Sequence, residues 1–162
     1  MPVFLVQLGS PRLPAEGVRI GTVPQPPRGV APRDWARLHH FDVWYPELAP
    51  SARCWSHGQA AQMAQDPRMW QQFVKDFRTE LARPSASRTL ALLAALSHHA
   101  SFSLGCYCPT EHYCHRQVLR SVLQSHGAAL VPAAGGALHA QSSVVGLPSS
   151  MGSETTSFWP EV

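Results

Sequence analysis

The sequence predicts an α/β domain: a single small domain with a mainly parallel sheet flanked by helices, then a weakly ordered C-terminal tail. Two observations carry that prediction. Short apolar runs rich in β-formers, such as Val3 to Leu8 and Val18 to Val23, alternate with stretches whose apolar residues recur every three or four positions. Alternating strand and helix patterns are how parallel neighbours are connected, because a parallel pair needs a long crossover. A length of 162 residues with 44% hydrophobic residues suits one core. The boundaries follow the composition: 1–130 for the α/β domain and 131–162 for the tail.

Each element has its own signature. "VFLVQL" from Val3 reads as a buried strand, and "VRIGTV" from Val18 as a second. Pro24 to Pro32 holds four prolines, which remove donors and lock φ, so it reads as a loop carrying Arg28. "HFDVWYPELAPS" from His40 begins strand-like and breaks at Pro46. Ser56 to Gln65 has weak periodicity and reads as a poor helix or a loop. The next segment is sharper: Asp66 is a good N-cap, Pro67 suits the first helical position, and Met69, Trp70, Phe73, Val74, Phe77 and Leu81 share one face. Pro84 is expected to end that helix, and Ser85 or Ser87 to cap the next, with Leu90, Leu93 and Leu96 in its core and Leu92 flanking.

Ser101 to Cys108 alternates, putting Phe102, Leu104, Cys106 and Cys108 on one face of a strand. "CHRQVLRSVLQSHG" reads as a helix that buries Val118, Leu119, Val122 and Leu123 and stops at Gly127. "AALVPA" from Ala128 is expected to add a last short strand. From Ala133 onward the chain is rich in Ala, Gly, Ser and Thr and nearly uncharged, hence the weakly ordered tail.

Charge narrows the partners. The net charge is +3, with +5 on residues 1–127 and −2 on the remainder, and no Arg cluster occupies one helix face. So small and scattered a charge argues against a nucleic-acid partner without excluding it; a nucleic-acid-associated or protein-interaction domain stands as a further alternative, with the +5 as its only support. No apolar run approaches the roughly 20 residues that cross a bilayer, and "MPVFLVQLGS" lacks a basic leader region. The expectation is a cytoplasmic protein with no membrane association, reduced thiols, and a small molecule or anion as ligand. In that setting clustered cysteines read first as metal-binding or catalytic.

One stretch gathers most of the chemistry. "GCYCPTEHYCHRQVL", Gly105 to Leu119, holds three of the four cysteines. It falls where a strand ends and a helix begins, the position at which open α/β sheets build sites. Three readings follow. As a thiol site, Cys114 at a helix start would be held as thiolate by the dipole, with His115 and Arg116 lowering its pKa, Cys106 or Cys108 as resolving thiol, and Asp42 reaching in from the strand before "PELAPS". As a metal site, Cys106, Cys108, Cys114 and His112 (or His115) would make a Cys₃His shell for zinc. As an anion site, the helix start and Arg116, aided by Arg28 or Arg19, would hold phosphate or carboxylate, with Glu111 as a candidate base. The C-x5-R spacing of Cys114 and Arg120 is not read as a cysteine-phosphatase loop, because "HRQVL" has no glycine and its N–H groups are committed to the helix. Cys54 stands apart and reads as structural.

Three blocks, "FDVWYPELAPS", "WQQFVKDFRTEL" and "LGCYCPTEHYCHRQVL", together with "VRIGTVPQPPRGV", resemble in order and spacing the signature blocks of the domain-of-unknown-function family 488 (DUF488, which includes YeaO-like proteins). The resemblance covers about residues 1–130. It implies a small α/β domain and no particular activity. It places Asp42, Trp44 and Pro46 on the family's Asp-x-Trp-x-Pro block, Cys106 on its strand-end cysteine, and Cys114, His115 and Arg116 on its Cys-His-Arg triplet. Many relatives carry glutamate at the position of Cys108, so the third thiol is a departure from the family pattern.

Overall fold

The computed structural model describes residues 1–132. Four strands, β1 (Val3–Gln7), β2 (Val18–Gly21), β3 (Val43–Trp44) and β4 (Phe102–Cys106), form one sheet in the order β1-β4-β2-β3, with every pair parallel. Four helices, α1 (Ala52–Ala64), α2 (Pro67–Leu81), α3 (Pro84–Leu96) and α4 (His115–Ser125), complete the α/β domain. The predicted fold class is the observed one. No helix among the described residues is long and apolar enough to cross a membrane.

β4 is an interior strand, between β1 and β2, and all five of its residues are buried. Strand alternation then gives the sheet two unlike faces. Phe102 and Leu104 pack with Val3 of β1 against Phe73, Phe77 and Leu81 of α2, Leu90 and Leu93 of α3, and Val118, Leu119 and Leu123 of α4. Ser103 and Gly105 point the other way, where β2 presents Arg19 and Gly21 at the paired positions. That face is covered by irregular chain. Phe41 lies so close over Gly21 that a Cβ there would run into its ring. The connection from β1 to β2 is residues 8–17, with no helix in it.

Because all four strands run parallel, their carboxyl ends lie along one edge of the sheet. Gln7 pairs with Cys106 there, and Gly21 pairs with Gly105 and Trp44.

The helix signals are met with differences at α1, at the start of α3 and at Leu96, which is expected in the α3 core but is exposed. Asp66 caps α2 by accepting from the N–H groups of Arg68 and Met69, with Pro67 at the start. Pro84 does not simply end α2: it opens α3 as its first residue, with Arg83 as N-cap, since a proline lacks an N–H where none is needed. The poor helix expected near Ser56 is a full helix, α1, capped by Ser51 whose Oγ accepts from Cys54 N–H. Its buried residues are Cys54, Gly58 and Ala61. Small residues let α1 sit close to α2, where Gly58 faces the Phe73 ring. A helix that packs by small residues shows little apolar periodicity, which is why its pattern is weak. Leu92 and Leu96 of α3 are exposed. The last predicted strand is reduced to one parallel bridge, Leu130 with Val3. The predicted tail lies outside the described residues from 133 onward.

Candidate functional site

The site is built at the end of β4. Residues 107–113 turn outward from Cys106, and α4 begins at His115 with Cys114 as its N-cap residue. The turn closes when Cys114 N–H donates to the Glu111 carbonyl at 3.0 Å. Tyr113, just before the cap, has φ +51°, a left-handed conformation that costs a tyrosine about 1 kcal/mol or more. Its ring is held edge-on by Trp70 of α2 at 5.1 Å and by His112 at 4.3 Å.

Arg116, buried in the first turn of α4, ties this loop to the helix. Its Nη2 donates to the carbonyls of Cys108 at 2.6 Å and Thr110 at 2.9 Å, and its Nε donates to Cys114 Sγ at 3.5 Å. His115 is buried beside it, with Nε2 2.7 Å from the Thr22 carbonyl after β2. A carbonyl oxygen only accepts, so Nε2 carries the hydrogen of that bond. Trp55 of α1 and Phe77 of α2 hold the imidazole edge-on at 5.7 and 5.9 Å.

The three thiols meet. Cys106 Sγ donates to Cys108 Sγ across 3.7 Å, and the Gln62 amide of α1 donates to Cys108 Sγ at 3.9 Å. The ligating atoms of Cys106, Cys114 and His115 lie within 4.8 Å of one another. The acidities separate strongly. The hydrogen bond from the Cys106 thiol, reinforced by Cys114, Gln62 and the Arg116 charge, outweighs burial and holds Cys108 far below the ordinary thiol range. Cys106, as donor to Cys108 and fully buried, is pushed far up and keeps its proton. Cys114 is lowered by its hydrogen bond with Cys106 and by His115, against the opposing effects of Cys108 and burial. The isolated Cys54 is pushed up to about 12 by burial and by Glu80 and Asp76.

The thiols open into a cavity of about 570 Å³ between the carboxyl edge of the sheet, α1 and α2. Trp55, Trp70, Phe73, Tyr107 and Tyr113 line it, and Gln25, Gln59 and Gln62 add amides. Cys106 and Cys114 are buried, whereas Cys108 is half-buried.

Of the residues singled out from sequence, Cys106, Cys108, Cys114, His115 and Arg116 are brought together. His112 is not among the clustered ligand atoms: it is exposed, and His115 takes the imidazole position instead. Asp42 is engaged elsewhere. Its carboxylate accepts from both Arg12 nitrogens at 2.8 Å and from Arg19 N–H at 2.8 Å. Glu111 forms a two-point pair with Arg120 at 2.8 and 2.7 Å, which occupies both the candidate base and the arginine of the C-x5-R spacing. Arg19 is buried against Glu16, and Arg28 is exposed in its loop. Neither is a lining residue of the cavity. Sequence reasoning missed Thr22, Gln62 and the aromatic lining. A usable signal existed for α1: Trp55, Gly58, Gln59 and Gln62 recur at helical spacing, and all four line the cavity.

A family model described as the active DUF488-N3 subclade matches residues 3–127. The chain belongs to the DUF488 family. The matched span of this DUF488-N3 chain takes in all four strands, all four helices and the three clustered thiols. Comparison with curated proteins and with solved structures gives no match.

Proposed function

We propose that this protein is a thiol enzyme in which Cys108 is the nucleophile and Cys106 the resolving thiol. The observation that carries the reading is the pairing of the two sulfurs at 3.7 Å, with the outer one half-exposed at a cavity and the inner one buried. The groups around Cys108 favour its thiolate: a thiol and an amide donate to it, and the Arg116 guanidinium lies behind it. Cys114 and His115 act as the supporting pair rather than as the attacking group, because Cys114 is buried at the cavity wall whereas Cys108 is half-exposed there. Cys108 lies beyond the end of β4, so its backbone is free of the sheet's hydrogen-bond ladder when the sulfurs close to a disulfide distance of about 2 Å. The family model's description as an active subclade agrees with catalysis. The cavity, within the range of about 300–1,000 Å³ usual for ligand sites, supports a small-molecule substrate.

The test is alkylation by iodoacetamide with peptide mapping across pH. Cys108 is expected to label first, and still to label rapidly well below the ordinary thiol pKa of about 8.5. A rate that simply follows a pKa near 8.5, or labelling led by another cysteine, would sink the assignment.

A zinc site is the second reading, and it has an observation of its own. The sulfurs of Cys106 and Cys114 converge with a ring nitrogen of His115, the donor types of a zinc shell. Metal analysis of protein prepared without chelator decides between them. About one zinc per chain, lost together with thermal stability on chelation, would replace the thiol reading; metal-free protein with three titratable thiols retains it.

A further inference from the structure

We infer that the cavity selects the flat, uncharged, aromatic part of a substrate and presents it to Cys108; this rests on the thiol reading and names its substrate class. The argument is the composition of the wall. Among the described residues that line the cavity there is no Asp, Glu, Lys or Arg. Arg116 lies behind the thiols with its Nη2 spent on two carbonyls, and Glu111 and Arg120 neutralise each other. A phosphate or carboxylate entering here would lose its hydration with no side-chain cation to replace it. What the wall offers is ring faces and edges from Trp55, Trp70, Tyr107 and Tyr113, worth about 0.5–1.5 kcal/mol per aromatic pair beyond burial. The neutral amides of Gln25, Gln59 and Gln62 both donate and accept, which suits a ring carrying its own hydrogen-bonding edge.

The walls are braced for a rigid guest. Trp70 stacks on Phe73 at 4.9 Å and meets Tyr113 edge-on, and Trp55 is held against His115. The strained φ of Tyr113 keeps that ring in place just ahead of α4. Cys108 and Gln62 are neighbours on the same wall, so a ring that bonds the Gln62 amide lies beside the nucleophilic sulfur.

An aryl disulfide reports the selection directly. The Cys108 thiolate attacks one sulfur of 4,4′-dithiodipyridine, forming a mixed disulfide and expelling one pyridine thiolate. Cys106 then loses its proton to solvent, and its sulfur displaces the second pyridine thiolate. The products are a Cys106–Cys108 disulfide and two reduced leaving groups: two thiols are oxidised and one disulfide is reduced.

Stopped-flow rates are compared, each normalised to free glutathione, for 4,4′-dithiodipyridine (flat, neutral), 5,5′-dithiobis(2-nitrobenzoate) (flat, anionic) and hydroxyethyl disulfide (neutral, not aromatic). The neutral aryl disulfide is expected to react at least about tenfold faster than either alternative, which corresponds to roughly 1.4 kcal/mol, and with saturation. Trp55→Leu is expected to remove most of that advantage, read as the ratio of the normalised aryl and hydroxyethyl disulfide rates so that a general change in thiol reactivity cancels. Equal normalised rates for the three reagents, with iodoacetamide labelling still fast at low pH, overturn the substrate class alone. Slow reaction with every reagent, iodoacetamide included, overturns the thiol reading beneath it. A preference for the anionic reagent overturns the inference and restores an anion site.

Discussion

The two faces of the sheet each bury an arginine, and they treat it in opposite ways. On the loop-covered face Arg19 is fully buried and every N–H group is met: Nε and Nη2 by Glu16, Nη1 by the carbonyls of Ser10 and His39, and Nη2 again by Pro11. On the helix-covered face Arg116 is almost as buried, but it is joined to sulfurs that open on a cavity. The first network is closed. It pins residues 10–19 and 39 together where no regular element covers the sheet. The second is open at one end, at Cys108. A buried polar network that satisfies itself holds structure, whereas one that ends in a half-exposed sulfur at a cavity is poised for a ligand or a reaction.

Breaking the closed network should give the largest effect. Arg19→Met leaves Glu16 buried without its partner, and a loss of about 3–5 kcal/mol in urea unfolding is expected. A loss below about 1 kcal/mol would mean that loop closure does not depend on this pair. The open network should respond less in stability and more in chemistry. Arg116→Lys cannot span both carbonyls and the Cys114 sulfur, so about 1–3 kcal/mol is expected to be lost. The pH midpoint for alkylation of Cys108 should also rise, since a point charge that no longer spans this position supports the thiolate less well. Lost stability with an unmoved midpoint would make Arg116 a purely structural tie.

The smallest effect sharpens the contrast from the surface. Burial works to raise the Asp42 pKa, but the Arg12 guanidinium and the Arg19 N–H outweigh it and leave the carboxyl below its ordinary value. A lowered carboxyl stabilises the fold above its unfolded pKa of about 3.9, and that contribution fades as pH falls through the folded value. The Arg12–Asp42 pair is partly exposed, so Arg12→Ala should cost less than about 1 kcal/mol at neutral pH. The difference from wild type should vanish in acid. A deficit that persists at low pH would assign the loss to packing of the Arg12 side chain instead.

Local pattern was enough for α2, α4 and β4. Each carries a strong period or cap: Asp66–Pro67 for α2, the Val118/Leu119/Leu123 face for α4, and alternation through Phe102 and Leu104 for β4. The density of cysteines within 106–114, and their position between strand and helix, also pointed to the site from sequence. What escaped was pairing between distant segments. Asp42 and His112 were attractive by residue type, yet Asp42 is taken by Arg12 and Arg19, and His112 is turned outward beside Tyr113. α1 was underrated because it packs through Gly58 and Ala61 rather than an apolar stripe.

The sequence by itself determined the α/β class, the helix starts at Asp66 and Cys114, and the three-thiol stretch, because propensity, capping and periodicity act over a few residues. Only the tertiary structure decided which thiol faces the cavity and which histidine joins it. It also decided which arginine is spent on structure, and that aromatic and amide side chains, not charges, line the wall. Those outcomes depend on what α1, α2 and the loop after β2 bring to the carboxyl edge of the sheet, from positions more than thirty residues away in the chain, and no local pattern encodes that distance.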